Sequence, residues 1–455
     1  MKIAILDVYP FINHRLIKDT AGGYGTGNNF GDTFFSKILN IFVDRMIGMP
    51  PMFLMYISSI FKEDKNNNVF YTRDINNKDL LDSDFVIFSS SIIAHETELK
   101  ALEKIQDKKI FVAGVFSSTF PEKYKFKNTK IIKNEPETFF YNIKKENKLN
   151  KDYLNSFFES DKYELPNDFQ GDLDELPFPD WKSYSDKYPL RNNFFSIKKN
   201  IAIPILATRG CPYSCFNYCT YPLQQGRKVR ARSPKNICDE IKFWMKELNT
   251  NKFVFRDPVF SINKKHTKAL CEEIINQNLK ITYLIETHLN NLDDEMLDLL
   301  YRSGLRMVYV GIESADDKVL SDMSRFTIKS DKQYQIIEKC EKKGVVVKTM
   351  FMLGNPADDE ETILKTIDYA KKLPNVFAQF SVFTPYPGTP IFKKFENNIT
   401  AKKLEDFNQY NLTFTHQNLT TKSINKLKSK AYFKYYFNFK KFLNVVKYFS
   451  KSLYE

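Results

Sequence analysis

The feature that most limits the fold lies between Ile201 and Phe383. Apolar, β-branched runs alternate there with longer amphipathic stretches. The strand candidates are Ile201 to Thr208, Phe253 to Asp257, Ile281 to Thr287, Met307 to Glu313, Val345 to Leu353 and Phe377 to Phe383. The segments between them predict helices by length and periodicity: Pro234 to Leu248, Lys264 to Asn276, Asp293 to Arg302, Asp331 to Lys343 and Asp359 to Lys372. Ser233 caps the first of these, with Pro234 at a tolerated opening position. Repeated strand–helix units bury one sheet face under helices, and six of them predict an incomplete (β/α) barrel over residues 201–391.

Chemistry in such barrels gathers at the carboxyl ends of the strands. Those ends are polar here: Asp257, Glu286-Thr287-His288, Gly311-Ile312-Glu313-Ser314, Gly354-Asn355-Pro356 and Thr384 to Pro390. The first strand runs straight into Arg209-Gly210-Cys211-Pro212-Tyr213-Ser214-Cys215-Phe216-Asn217-Tyr218-Cys219, which holds three of the six cysteines. Thiolates are soft ligands that suit zinc and iron–sulfur clusters. With no partner pair or histidine nearby, three thiols do not complete a four-ligand structural zinc site. Three thiolates on a cubane leave one iron open to a substrate or cosubstrate. Three structural thiols, or a zinc clip, are the plainer alternatives. Cys238, Cys271 and Cys340 fall in predicted helices, where free cysteines behave as small buried hydrophobes.

The stretch Arg-Gly-Cys-Pro-Tyr-x-Cys, followed by Tyr218 and Cys219, resembles the radical S-adenosylmethionine enzymes. Their spacing is Cys-x3-Cys-x2-Cys, so the second gap here is one residue longer. The resemblance implies a [4Fe–4S] cluster on Cys211, Cys215 and Cys219, with the extra residue bulging away. It implies Tyr218, Glu313, Ser314 and Arg325 near S-adenosylmethionine, whose cleavage yields a 5′-deoxyadenosyl radical. Arg256-Asp257-Pro258 replaces the family's Gly-Gly-Glu segment, and His288 stands where the subgroup often has arginine.

Residues 1–150 predict an open, Rossmann-like parallel sheet. Strands are expected at Ile3 to Leu6, Val69 to Tyr71, Asp84 to Phe88, Lys109 to Ala113 and Lys130 to Ile132, and helices at Phe53 to Phe61 and Glu96 to Gln106. A glycine-rich loop, Ala21 to Gly31, follows the first strand and is read either as a ligand cradle or as a surface loop. The arrangement is similar to the cobalamin-binding domain that precedes the barrel in one subgroup of the family. Pro50-Pro51, the serines at 89–91, Ala113-Gly114 and Glu135-Pro136-Glu137 carry that likeness. It implies cobalamin contacts at Ser89, Ser90, Gly114 and Glu135. The Asp-x-His-x-x-Gly motif is absent, and His14 and His95 lack its setting, so cobalt would have no histidine ligand. Residues 151–200 predict an extended linker, with prolines at 177 and 179 that cannot continue a helix.

The implied function is a radical enzyme, cobalamin-dependent and methyl-transferring or rearranging, that acts on an unactivated carbon of a small molecule. Flavodoxin or ferredoxin would supply electrons. A methylthiolating modifier of tRNA or protein, and a non-catalytic iron–sulfur scaffold, are the rival readings. No catalytic side chain is singled out. The net charge of +13 reads as a lysine-rich solvated surface, and nucleic acid is not an expected partner. No secretory signal or membrane-spanning run is visible, so the cytosol is expected. The tail, 392–455, predicts a basic, aromatic amphipathic helix that packs on the barrel.

Overall fold

The computed structural model describes residues 1–11, 15–28, 34, 37–38, 50–188 and 202–454. His14, Asn29 to Gly31 of the glycine-rich loop, and Ile201 lie outside the described residues.

Two six-stranded parallel sheets form the molecule. The N-terminal half contributes β1 (Lys2–Leu6), β2 (Arg15–Ile17), β3 (Thr26–Asn28), β4 (Asn68–Thr72), β5 (Phe85–Ser89), β6 (Ile110–Ala113), β7 (Thr129–Ile132) and β8 (Glu164–Leu165). Their order is β4-β1-β5-β6-β7-β8, with β2 and β3 paired apart as a hairpin. The chain crosses from one side of β1 to the other between β4 and β5. That reversal is the switch point of a flavodoxin-like sheet, where a crevice opens at the carboxyl ends. β8 lies within the stretch expected to be linker. It is short and weakly patterned, and it joins the sheet by pairing with β7. Phe111 packs against Phe140, Phe157 and Phe158, which seats the helix Lys151–Glu159 on this edge.

The second half holds β9 (Ala202–Ile205), β10 (Thr208–Arg209), β11 (Arg230–Ala231), β12 (Lys252–Phe255), β13 (Thr282–Glu286), β14 (Leu305–Glu313), β15 (Val346–Leu353) and β16 (Phe377–Val382). Here the order runs β16-β15-β14-β13-β12-β9 without a crossover, as a six-unit partial barrel requires. The five expected helices are present, at Pro234–Leu248, Lys264–Asn276, Asp294–Ser303, Ser330–Lys343 and Glu360–Lys372. Burial alternates along β13 to β16. Ile285, Val308, Val310, Phe351 and Phe380 are fully buried, while Glu286, Tyr309, Glu313, Lys348 and Gln379 on the other face keep partial exposure. The sheet therefore has a dry face and a polar one.

A partial barrel leaves an edge strand with unpaired backbone groups. The helix Thr421–Tyr436 covers that edge with its tyrosines. Phe380 N–H donates to the Tyr432 hydroxyl, which donates to Phe380 C=O, both at 3.1 Å. Tyr436 does the same for Ala378, at 3.2 and 2.8 Å. The tail, expected as one helix with its aromatic face on the barrel, forms two: the first packs its tyrosines on the barrel and finishes the hydrogen bonding of β16, while Phe439 and Phe442 of the second are exposed.

Candidate active site

The cysteine loop leaves β10 at the mouth of the barrel. Asp257, at the end of β12, holds its base: its carboxylate accepts from Ala207 N–H at 3.1 Å, from Thr208 N–H, and from the Thr208 hydroxyl at 2.6 Å. Burial pushes the Asp257 carboxyl up to about 6. This aspartate anchors the loop, a role that the strand-end pattern did not disclose.

The longer cysteine gap is taken up by one tight turn. Residues Ser214–Asn217 form a 3-10 helix, and Cys219 N–H donates to Cys215 C=O at 3.0 Å. The neighbouring Cys219 thiol, followed by the field of Arg325, holds the Cys215 thiol down at about 6. Its partner Cys219 is pushed well above the usual thiol range, and burial raises Cys211. Asn217 is exposed, with its amide on Ser324, so the turn carries it away from the thiols. Among the described residues, no three of His, Cys, Asp and Glu are drawn to closed metal-ligand geometry.

Glu313 and Arg325 face this loop. Arg325 lies 3.5 Å from the Glu313 carboxylate and donates to Gly311 C=O at 3.1 Å. β14 bulges between Gly311 and Glu313, and Glu313 takes a left-handed φ of 67°. Strain of that kind persists where surrounding contacts over-determine it. A methyl group on Gly311 would fall 2.4 Å from Glu313 Oε1 and 2.7 Å from Arg325, so the missing side chain makes room for the pair. Burial raises the Glu313 carboxyl, partly offset by Arg325. Tyr218 is half-buried beside Phe383, its ring centroid 6.2 Å away, and both Arg325 and Glu313 act on its hydroxyl. Ser314, expected with them, instead meets Thr366 at 3.2 Å and accepts from Asp316 N–H. His288 binds Phe326 C=O at 3.0 Å and caps a short turn.

A polar row missed by the sequence reading lies deeper. Glu286, Tyr309 and Lys348 are register neighbours on β13, β14 and β15. Burial pushes the Glu286 carboxyl up to about 6, against the opposing fields of Arg256 and Lys348. Only strand register, which sequence spacing does not supply, lines these residues up.

The carboxyl ends of the N-terminal sheet face the barrel mouth across a cleft. Gly23, Met52, Gly114, Val115 and Asn134 line one side, and Leu206, Arg209, Tyr221, Gln225 and Arg256 the other. Buried ion pairs close its floor: Arg209 reaches Glu135 at 3.2 Å and Glu137 at 2.7 Å, and Arg230 reaches Glu135 at 2.8 Å. Glu135 is thus held by two guanidinium groups. Ser90 is engaged internally, with Ala113 C=O and Ser117. The Ser89 hydroxyl is buried without a partner among the described residues. Gly114 lines the cleft with its backbone against Ser90.

The switch point itself is filled by protein. Lys18, from β2 and its turn, is fully buried and pairs with Asp7 at 3.0 Å and Glu98 at 2.8 Å. Burial alone would lower its ammonium, but the two carboxylates outweigh that and raise it. His95 joins this cluster through Tyr124, at 3.1 Å. The described glycines of the loop serve packing. A methyl group on Gly22 would lie 2.5 Å from the Thr220 backbone, where the loop crosses the cysteine segment. Thr220 donates to Ala21 C=O at 2.6 Å at the same crossing. Gly22 thus serves a backbone-on-backbone contact, while Gly23 of the same loop lines the cleft.

A flavodoxin-like sheet set over a partial barrel, with three thiols at the shared mouth, defines a two-part enzyme architecture. Residues 205–370 match the model of the radical SAM superfamily. An uncharacterized methyltransferase of Pyrococcus horikoshii is 24% identical over 420 residues, covering 87% of this chain and 90% of the relative. Bacteriochlorophyllide d C-12(1)-methyltransferase of Chlorobaculum tepidum is 27% identical over 225 residues, and the match spans 48% of this chain and 48% of that protein. Among solved structures, the radical S-adenosylmethionine methyltransferase TsrM from Kitasatospora setae superposes with a TM-score of 0.61 at 14% identity, over 87% of this chain and 78% of that one. The cobalamin-dependent S-adenosylmethionine radical enzyme OxsB gives 0.66 at 14% identity, over 94% and 66%. These likenesses extend the shared fold across both sheets.

Proposed function

We propose that the protein transfers a methyl group to an unactivated carbon of a small molecule, using S-adenosylmethionine, a [4Fe–4S] cluster and a corrinoid. The observation that carries this reading is the setting of the cysteine segment: its thiol turn lies beside Arg325 of the Glu313–Arg325 pair, and Arg209 and Tyr221, just before and after the cysteines, line the cleft of the N-terminal sheet.

Cys211, Cys215 and Cys219 fit a cluster by their donor chemistry: they are soft thiols in mutual electrostatic contact, one of them already acidic. A corrinoid would lie along the cleft between the sheets, with Gly114 and Asn134 at its wall. When bound, the cluster supplies an electron to S-adenosylmethionine and the corrinoid carries the methyl group. Arg325 would pair with the carboxylate of S-adenosylmethionine, a reading supported by its position beside Tyr218 and Glu313. Glu286, Tyr309 and Lys348 give the barrel a polar inner row that can orient a substrate. The helices on the opposite face keep that sheet dry. His95 is committed to the Lys18 cluster, so a corrinoid here has no cobalt ligand from it. The names of the methyltransferase relatives and the OxsB structure, solved with aqua-cobalamin and S-adenosylmethionine, support the reading. A reducing cytosol with flavodoxin or ferredoxin as electron donor completes it. The rival methylthiolating reading calls for a second cluster, yet Cys238, Cys271 and Cys340 are single thiols in the core.

The test is anaerobic reconstitution with iron, sulfide and hydroxocobalamin. The expected results are a brown chromophore, corrinoid retained through gel filtration, and turnover of S-adenosylmethionine. A folded protein that holds no cluster would overturn the reading. Turnover without retained corrinoid would overturn its methyl-transfer part.

A further inference from the structure

The last helix does something that the rest of the fold does not need. Among its described side chains, Lys441 and Tyr448 tie helix Phe439–Tyr454 to the barrel. Lys441, 3% exposed, donates through Nζ to the carbonyls of Leu373 and Asn375, and Tyr448 stands edge-on to Phe377 at 5.1 Å. The opposite side is apolar and open: Phe439 is 77% exposed, Phe442 56%, Leu443 47% and Val446 48%. At helical spacing these four share one face, ~100° wide. Phe433 and Phe437, at the end of the preceding helix, are also exposed, with their rings stacked at 4.4 Å.

The charge that the tail itself carries has one sign, although Asp368 of the barrel pairs with Lys434 at 3.3 Å. Residues 407–454 contain nine lysines and no Asp or Glu. Lys440 and Lys447 are exposed and flank the apolar stripe. A water-facing helix gains nothing from a row of bare phenylalanines, and a patch of this kind marks an interaction surface. Aromatic residues on one face, lysines beside them and no acid are what an interfacial helix presents to anionic lipid. No helix among the described residues is long and apolar enough to cross a membrane, so the contact is with a surface.

We infer that the C-terminal helix docks the enzyme on anionic membrane surfaces. Its apolar stripe enters the headgroup boundary and its lysines meet lipid phosphates. The helix sits at the amino end of β16, and the cysteine turn at the carboxyl ends. The eight residues of β15 span roughly 26 Å between those ends, so the reaction mouth faces away from the lipid.

The test is sedimentation of the full chain with vesicles of phosphatidylcholine alone or mixed with phosphatidylglycerol. The protein should pellet with the mixed vesicles, and added salt should weaken this. Phe439→Ser with Phe442→Ser should lower the partition at least about tenfold while leaving the melting temperature and cluster content unchanged, because both side chains are exposed. Lys440→Gln with Lys447→Gln should weaken binding to the mixed vesicles, by about tenfold at low salt. Failure to pellet with either vesicle would overturn the inference, as would equal pelleting of the double serine variant. It would also fall if the same serines dissolved a dimer, or abolished RNA retention, without any lipid binding in the parent.

Discussion

At the residue scale, the thiol turn is the most exacting part of the molecule. Cys211→Ala, Cys215→Ala and Cys219→Ala should each abolish the cluster absorbance after reconstitution. Cys238→Ala should leave it, because that thiol is fully buried on the helix Pro234–Leu248 and pushed up to about 12. The opposite pattern would mean that the longer cysteine gap has changed the ligand set. Gly311→Ala probes the neighbouring pair. The added methyl would meet the far ends of Glu313 and Arg325, both flexible, so the fold should lose only about 1 kcal/mol. On the proposed function, turnover of S-adenosylmethionine should fall at least about tenfold, since Arg325 would be displaced from the carboxylate it is proposed to pair with. Thermal melting and turnover measured together separate the two effects.

At the element scale, Glu341 shows how a helix end is tuned against the sheet. Its carboxylate accepts from Val347 N–H at 2.8 Å and Val376 N–H at 3.1 Å, and burial pushes it from near 4.5 up to about 7. A raised carboxyl binds a proton that the unfolded chain has already lost. Its stability contribution is therefore whole below about 4.5, declines as pH rises, and is gone above about 7. Glu341→Gln keeps an acceptor and removes the titration. Denaturant unfolding should find the variant about 2 kcal/mol more stable than the parent at pH 8 and close to it at pH 4.5. Equal shifts at both pH values would refute the account. The tyrosines of helix Thr421–Tyr436 act at the same scale. Their hydroxyls replace the strand that a closed barrel would have beside β16.

At the scale of the whole molecule, ion pairs bind the two sheets to one another. Arg209 and Arg230 come from the barrel side, Glu135 and Glu137 from the end of β7, and all four side chains are less than a tenth exposed. Removing one charge from such a group leaves the others unpaired in a poor solvent, at a cost of about 3 kcal/mol. Glu135→Gln should therefore lower the unfolding midpoint and split one transition into two as the sheets uncouple. A single unshifted transition would show that the apolar contacts alone join the halves.

Much of this was legible in the chain. The six strand–helix units appear where periodicity puts them, because a strand buried under helices must be apolar wherever it lies. The cysteine cluster was legible because thiols in a strand-end loop are rare and chemically costly to keep. What could not be read were features made by distant residues. Lys18 seals the switch point only because β2 and its turn fold back over Asp7 and Glu98. Glu286, Tyr309 and Lys348 form a row only through strand register. The glycines near residue 22 could be read as a ligand cradle or a surface loop, and Gly22 is used at a backbone crossing with a segment almost two hundred residues away. Local patterning determined which elements form, because it depends on neighbours in sequence. Tertiary structure alone decided which polar groups are already paired, because pairing depends on neighbours in space.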